Sequence, residues 1–341
     1  EEGRPPARTP DVEAVRTDAV NTIVEEVAAS TGVQVLDLRA HMQQWPGGEF
    51  DPELRAADGI GLSEDGASDV GQWLAEQLAD RAPSAAPAPP PPVRDPNEPL
   101  PPAPPVVPRR VVGPGETARV LVVGDSVAYG LGYSLGQWGG RNDAEVTTNA
   151  QFGCAIARGG QYRFQEDLVA FGSNCDWGQT FPPVIAGYRP DVVVVSSGVW
   201  EVVDRRLPGD DRFRHVGSPD VDRYVLGEFL TAIDTLGADG ATVVLLTQPY
   251  LHSGLDKGMT DLPESETARI DRLNELIVTA AAQRPGVARV VDLRGWLAAQ
   301  PGGELDANKR PDGLHFADSY TPQVADWLGP NVVAVARGQA G

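Results

Sequence analysis

The chain is short of positive charge. Its 341 residues carry 28 Lys and Arg against 48 Asp and Glu, a formal net charge of −20. Affinity for a nucleic-acid backbone comes from Lys and Arg meeting phosphate, so this balance argues against nucleic acid as a partner. It reads as solubility, and it suits a protein that meets neutral substrates. Cysteine is scarce as well, with only Cys154 and Cys175 present. Neither belongs to a CxxC pair or has a histidine at metal-ligand spacing, which argues against a zinc site. No apolar run approaches the ~20 residues of a membrane-spanning helix. The chain opens at Glu1 with no signal-peptide pattern, so the expectation is a removed targeting segment or a piece of a longer protein.

Apolar residues make up 41% of the chain, enough to bury a core. A segment reading PSAAPAPPPPVRDPNEPLPPAPPVVP covers residues 83–108. Proline at this density blocks helix and sheet, because it lacks a backbone donor and fixes φ. The segment is expected to be an extended, semi-rigid linker over 83–109. It separates residues 1–82 from a main domain at 110–335.

The main domain alternates two patterns. ARVLVVG (118–124), DVVVVSS (191–197), TVVLLT (242–247) and ARVVDL (288–293) are short, continuous and β-branched, as strands covered on both faces should be. Between them run amphipathic stretches such as 221–236 and 266–283. Strand and helix in alternation imply an α/β fold with a parallel sheet and helices on both sides. Function in such a sheet gathers at the carboxyl ends of its strands.

An internal repeat links the two parts. Residues 16–63 and 269–317 each give a helix, a strand ending in Asp-Leu-Arg, a Pro-Gly-Gly-Glu turn, and then Asp-Gly. A match this long is hard to assign to chance. Residues 1–82 therefore read as the C-terminal part of a second, degenerate domain whose first strands are missing. The alternative is a half-domain that braces the downstream sheet. Where the downstream copy has Asp312-Gly313-Leu314-His315, the upstream copy has Asp58-Gly59-Ile60-Gly61, so it cannot supply a base.

Two segments carry chemistry. The first strand ends in Gly124-Asp125-Ser126, ahead of a helix start. A serine there sits at the sheet's carboxyl edge beside free backbone N–H groups. Alone, the tripeptide is as consistent with an N-cap. Gly124, Gly130 and Gly132 do not form GxGxxG, so no dinucleotide loop is expected, and no cofactor is implied. The second segment is Asp312-Gly313-Leu314-His315. A serine hydroxyl needs a base to remove its proton. Histidine can do so near neutral pH, and an Asp three residues away can fix its tautomer. The remaining histidines, His41, His215 and His252, read as structural or exposed, although His252 follows a strand end and borders this region.

Cys154 and Cys175 lie in one polar, Gly-rich stretch. They read as a disulfide closing a local loop, which would imply an oxidising compartment and contribute roughly 3 kcal/mol. The other reading is two unrelated buried thiols.

Together, GDS at the first strand, the isolated Gly153 after the second, a Gly-x-x-x segment after the third and D-x-x-H near the end resemble the SGNH, or GDSL, superfamily of esterases and acyltransferases. The resemblance covers 118–330. It implies a flavodoxin-like three-layer α/β/α fold with Ser126 as nucleophile, His315 as base and Asp312 as orienting acid. It also implies that the Gly153 amide joins that of Ser126 in an oxyanion hole. One block departs from the pattern. The family has Gly-x-Asn-Asp after the third strand, whereas this chain has Gly198-Val199-Trp200-Glu201. Losing one oxyanion donor typically costs ~100- to 1,000-fold in turnover. Either the Trp200 indole donates, Asn149 substitutes, or the enzyme is slow toward water; equally, Trp200 is a wall of the substrate pocket, with Glu201 beside it as a substrate contact. Trp-Glu in that block, and Cys154 after Gly153, look like SGNH domains fused to membrane-bound sugar acyltransferases. That resemblance implies an extracytoplasmic enzyme of the cell envelope, attached to a membrane acyltransferase domain, with a carbohydrate or acyl-ester substrate. The rival reading is a worn SGNH fold that grips glycan without turnover.

Overall fold

The computed structural model describes residues 10–31, 35–55, 62–79, 90–259 and 262–339. The chain forms two compact units, residues 1–84 and 85–341.

The first unit holds α1 (Pro10–Thr31), α2 (Leu38–Met42) and α3 (Glu64–Ala79). Asp37 caps α2, its carboxylate accepting from the Ala40 N–H at 2.8 Å, because the first N–H groups of a helix have no intrahelical acceptor. A small core joins Met42, Leu54 and Val70. Of the strand expected before Asp37, the described residues 35–37 are neither helix nor strand. A strand needs a neighbour for its backbone groups, and no sheet exists among the described residues of this unit. The upstream counterpart of the D-x-x-H turn, including Asp58 and Gly61, lies outside the described residues.

In the second unit the elements run β1 (Ala118–Gly124), α4 (Ser126–Gly139), β2 (Ala144–Ala150), β3 (Gln161–Phe164), β4 (Asp167–Ala170), α5 (Trp177–Tyr188), β5 (Val192–Ser196), α6 (Val199–Val202), β6 (Asp204–Arg206), α7 (Pro219–Leu236), β7 (Thr242–Leu246), α8 (Thr267–Ala282), β8 (Ala288–Val291), α9 (Leu293–Ala298) and α10 (Thr321–Ala336). Five strands make one parallel sheet in the order β2-β1-β5-β7-β8. Counted along the chain, that order is 2-1-3-4-5, the flavodoxin-like arrangement, whose switch point falls between the first and third strands.

Alternation along the strands divides the core in two. Leu121, Val123, Val193, Val195, Val243 and Leu245 face one side, packed with side chains of α5, α7 and α8. Val120, Val122, Val192, Val194, Val244 and Leu246 face the other, packed with α4, α9 and α10. A β-strand presents successive residues to opposite faces, so the continuous valine runs are what a sheet covered on both sides requires. Each fully buried valine or leucine contributes about 1.5–3 kcal/mol.

A second, three-stranded antiparallel sheet, β4-β3-β6, lies outside this pattern. The proline-rich stretch from residue 90 to 113 has no helix or strand, and it is fastened to the second unit. Proline removes donors but keeps its carbonyl, so such a segment can dock only by accepting. Buried Arg158 donates to Pro91 O at 2.7 Å and Pro92 O at 2.9 Å, and Arg284 donates to Pro101 O at 3.0 Å. Its described part turns at 96–98, where the Glu98 N–H donates to Asp95 O at 3.0 Å, and the bonds from Arg158 and Arg284 tie it down.

Candidate active site

The site forms where β1 and β5 part, at the carboxyl ends of the sheet. Gly124 ends β1 with φ 139°, and a Cβ there would stand 1.8 Å from Ser196 O on β5, so only glycine fits. Asp125 follows in extended conformation and caps α4, its carboxylate accepting from the Val127 N–H at 2.9 Å. Ser126 is the first helical residue, and its own N–H has no intrahelical acceptor.

The histidine arrives on a turn shaped by two residues. Gly313 has φ 77°, and a Cβ there would lie 2.0 Å from His252 O. The His252 N–H in turn donates to Gly313 O at 3.1 Å, so His252 borders the site through its backbone. Buried Arg310 holds the same turn, donating to Leu314 O at 3.0 Å and to the Tyr250 carbonyl. The Asp312 carboxylate accepts from the Leu314 and His315 N–H groups at 2.8 and 2.7 Å.

The structure brings the three predicted side chains into one line. His315 Nδ1 meets Asp312 Oδ2 at 2.5 Å, and His315 Nε2 meets Ser126 Oγ at 2.7 Å. The Asp312 bond fixes the imidazole so that Nε2 is the basic nitrogen. Burial opposes ionisation of Asp312, but the bonds from the His315 ring and the two amides outweigh it and bring its pKa down to about 2. The bond to Asp312 raises the His315 pKa above the usual 6.5, against the effect of burial. Asp125 is almost wholly buried, and loss of hydration pushes its pKa up to about 6.

A cavity of about 220 Å³ opens beside Ser126 and His315. Apolar Phe164, Trp200, Leu251, Leu314 and Phe316 line it together with polar Gln165, Gln248, Asp256, Lys257 and Arg310. Trp200 packs on Phe164 with ring centres 4.6 Å apart. The Gly153 loop reaches the same ring: φ is 74°, and a Cβ on Gly153 would lie 3.7 Å from Trp200 Cζ2. Cys154 and Cys175 are joined in a disulfide that anchors this loop.

Two expected substrate contacts are elsewhere. Glu201 is fully buried; its carboxylate accepts from the Ile156 and Ala157 N–H groups at 2.5 and 3.3 Å and lies 3.6 Å from Arg205. Burial pushes its pKa up to about 7. It braces the loop that carries Gly153 and does not touch the cavity. Asn149 lies on β2 in a separate crevice with Gly124, Cys154 and Cys175. Sequence reading missed Arg310 and Phe164, and it quoted Asp125 within the Gly-Asp-Ser motif without giving it a role. Arg310 had a signal in the repeat, which carries Arg55 at the equivalent position, whereas Phe164 had none.

The family model described as GDSL-like Lipase/Acylhydrolase matches residues 122–319. No curated protein matches the chain. Among solved structures, one from Bacteroides fragilis described as an acylhydrolase is 14% identical, with 67% of this chain and 91% of that one covered at a TM-score of 0.43. The acetyl xylan esterase AlAXEase is 17% identical, with 63% and 99% covered at 0.40. The C-terminal catalytic domain of Streptococcus pneumoniae peptidoglycan O-acetyltransferase A is 16% identical, with 66% and 97% covered at 0.37.

Proposed function

The chain belongs to the GDSL-like lipase/acylhydrolase family, and from that premise we propose that it is a serine-dependent acyl-transfer enzyme acting on short acyl esters, acetyl above all, of cell-envelope carbohydrate. The observation that carries the reading is the unbroken line from Asp312 through His315 to Ser126, with contacts of 2.5 and 2.7 Å. Ser126 Oγ attacks the ester carbonyl as His315 Nε2 takes its proton. The tetrahedral oxyanion is held by the Ser126 N–H at the start of α4 and by the Gly153 N–H. His315 returns the proton to the departing alcohol, leaving an acyl group on Ser126. A second hydroxyl, from water or from a sugar, loses its proton to His315 and takes the acyl group, restoring Ser126. Asp312 stays ionised throughout and balances the imidazolium.

The cavity of about 220 Å³ suits a short acyl group and is small beside the usual range of ligand sites. The disulfide fits an extracytoplasmic location. The Trp-Glu block carries the resemblance to SGNH domains joined to membrane acyltransferases, and Trp200 serves this reading as a wall of the acyl pocket. Residues 1–82 are read as the C-terminal part of a second, degenerate domain of the same fold.

Hydrolysis of p-nitrophenyl acetate tests the reading. Ser126→Ala is expected to lower kcat by about 10⁴-fold or more. Equal rates in the two proteins would end it. Adding a polysaccharide acceptor separates the two fates of the acyl group, since acetylated glycan forms only if the enzyme transfers.

A further inference from the structure

The nucleophile's own helix carries an unusual outer face. Its sequence, SVAYGLGYSLGQWG, contains no charged residue, in a chain whose net charge is −20. Ala128, Leu131 and Leu135 point into the core. Ser126, Tyr129 and Tyr133, at i, i+3 and i+7, share the opposite stripe. Tyr129 is 51% exposed and Tyr133 67%. Gly130 and Gly136 flank them, and a Cβ on either would meet nothing within 4 Å, so the surface beside the rings is open. Phe152, 62% exposed, sits against Tyr129 with ring centres 5.1 Å apart, and it directly precedes Gly153.

Large aromatic side chains gain most from burial, so three of them exposed in one cluster mark a surface that binds something. The cluster is not part of the cavity, whose wall is formed by other residues. It begins one turn from Ser126 and beside the Gly153 loop. A cavity that takes a short acyl group leaves the rest of a polymeric substrate outside, and this ridge is the uncharged surface it meets next.

Resting on the carbohydrate reading above, we infer that Tyr129, Tyr133 and Phe152 form a stacking platform for a neutral polysaccharide strand, which they hold across the mouth of the site. A pyranose ring offers a face of weakly positive C–H groups to the negative face of an aromatic ring, and the tyrosine hydroxyls add partners for sugar hydroxyls. α4 offers no Lys or Arg to pair with an anionic polymer, and the net charge of −20 disfavours the approach of one.

The test compares Tyr129→Ala/Tyr133→Ala with wild type on p-nitrophenyl acetate and on O-acetylated hexasaccharides of xylose and of N-acetylglucosamine. The readout is the ratio of kcat/KM for hexasaccharide to kcat/KM for the small ester. The ratio is expected to fall at least tenfold through KM, and Tyr129→Trp/Tyr133→Trp, which keeps the rings, is expected to restore it. A ratio unchanged within twofold, with the hexasaccharide still a good substrate, would overturn the platform and leave the carbohydrate reading standing. Wild-type turnover of p-nitrophenyl acetate with none of either hexasaccharide would overturn both. A wild-type dimer in sedimentation, dissociated by the alanine pair, would assign the face to a second copy and overturn the platform.

Discussion

Residues 35–55 and 62–79 make several of the contacts that residues 290–336 make, yet where the downstream sequence has His315 the upstream sequence has Gly61. In the downstream region Asp292 caps α9 and in the upstream region Asp37 caps α2. Arg294 pairs with Asp271 and Glu304, and Arg39 pairs with Asp18 and Glu49. Arg310 donates to Glu304 O and Arg55 to Glu49 O. Trp296 stacks on Trp327 at 4.7 Å, and His41 stacks on Trp73 at 4.6 Å. The last of these pairs lies beyond residues 63 and 317, where the repeat read from sequence stops. None of these contacts involves His315, whose place Gly61 takes in the upstream sequence. On the proposed reading of residues 1–82 as a degenerate copy, that copy has lost what only catalysis requires and kept what folding requires.

The largest expected effect comes from making the downstream region resemble the upstream one at that position. His315→Gly should lower kcat for p-nitrophenyl acetate by about 10⁴- to 10⁶-fold. Because the ring is partly exposed and its neighbours are bonded through the backbone, the unfolding midpoint in urea should move little. A variant that lost its fold along with its activity would break the comparison, since the histidine would then belong to the scaffold.

Asp312→Asn is expected to come next. The imidazole would lose its orienting carboxylate, and kcat should fall by about 10⁴-fold. The pH profile sharpens the point. His315 must be neutral to accept a proton, so kcat/KM rises as pH passes its pKa. The Asp312 bond raises that pKa above 6.5, so removing the carboxylate should move the rising limb toward lower pH. A limb that stayed in place would mean that Asp312 serves only the turn.

Much of the site was legible in the sequence because its signals are local. Ser126 lies next to a strand end and a helix start, and Asp312 and His315 are three residues apart. The parallel, doubly covered sheet followed from the runs of valine, whereas its flavodoxin-like arrangement was implied only by the family resemblance. The rest depends on partners distant along the chain. Glu201 reads as a substrate contact from its neighbours, but its carboxylate serves amides 45 and 44 residues away. The three-stranded sheet is built from four- and three-residue strands of mixed polarity, too short to show a period. The proline-rich segment reads as an extended, semi-rigid linker, and its anchors, Arg158 and Arg284, lie too far downstream to be seen in its own composition.

The smallest expected effect concerns the stacked rings, where the two regions reached the same geometry with different residues. His41 also meets the Asp69 carboxylate at 2.8 Å, whereas the corresponding position downstream is the exposed Gln323. Trp296→His would keep a ring on Trp327 but bury less surface and leave the imidazole without that carboxylate. A loss of about 1–2 kcal/mol in the free energy of unfolding is expected from urea titration. Adding Gln323→Asp should return about 0.5 kcal/mol, because the pair would then copy the upstream arrangement. If the double variant is no more stable than Trp296→His alone, the carboxylate contributes nothing to the upstream stack, and the ring contact by itself is what both regions have kept.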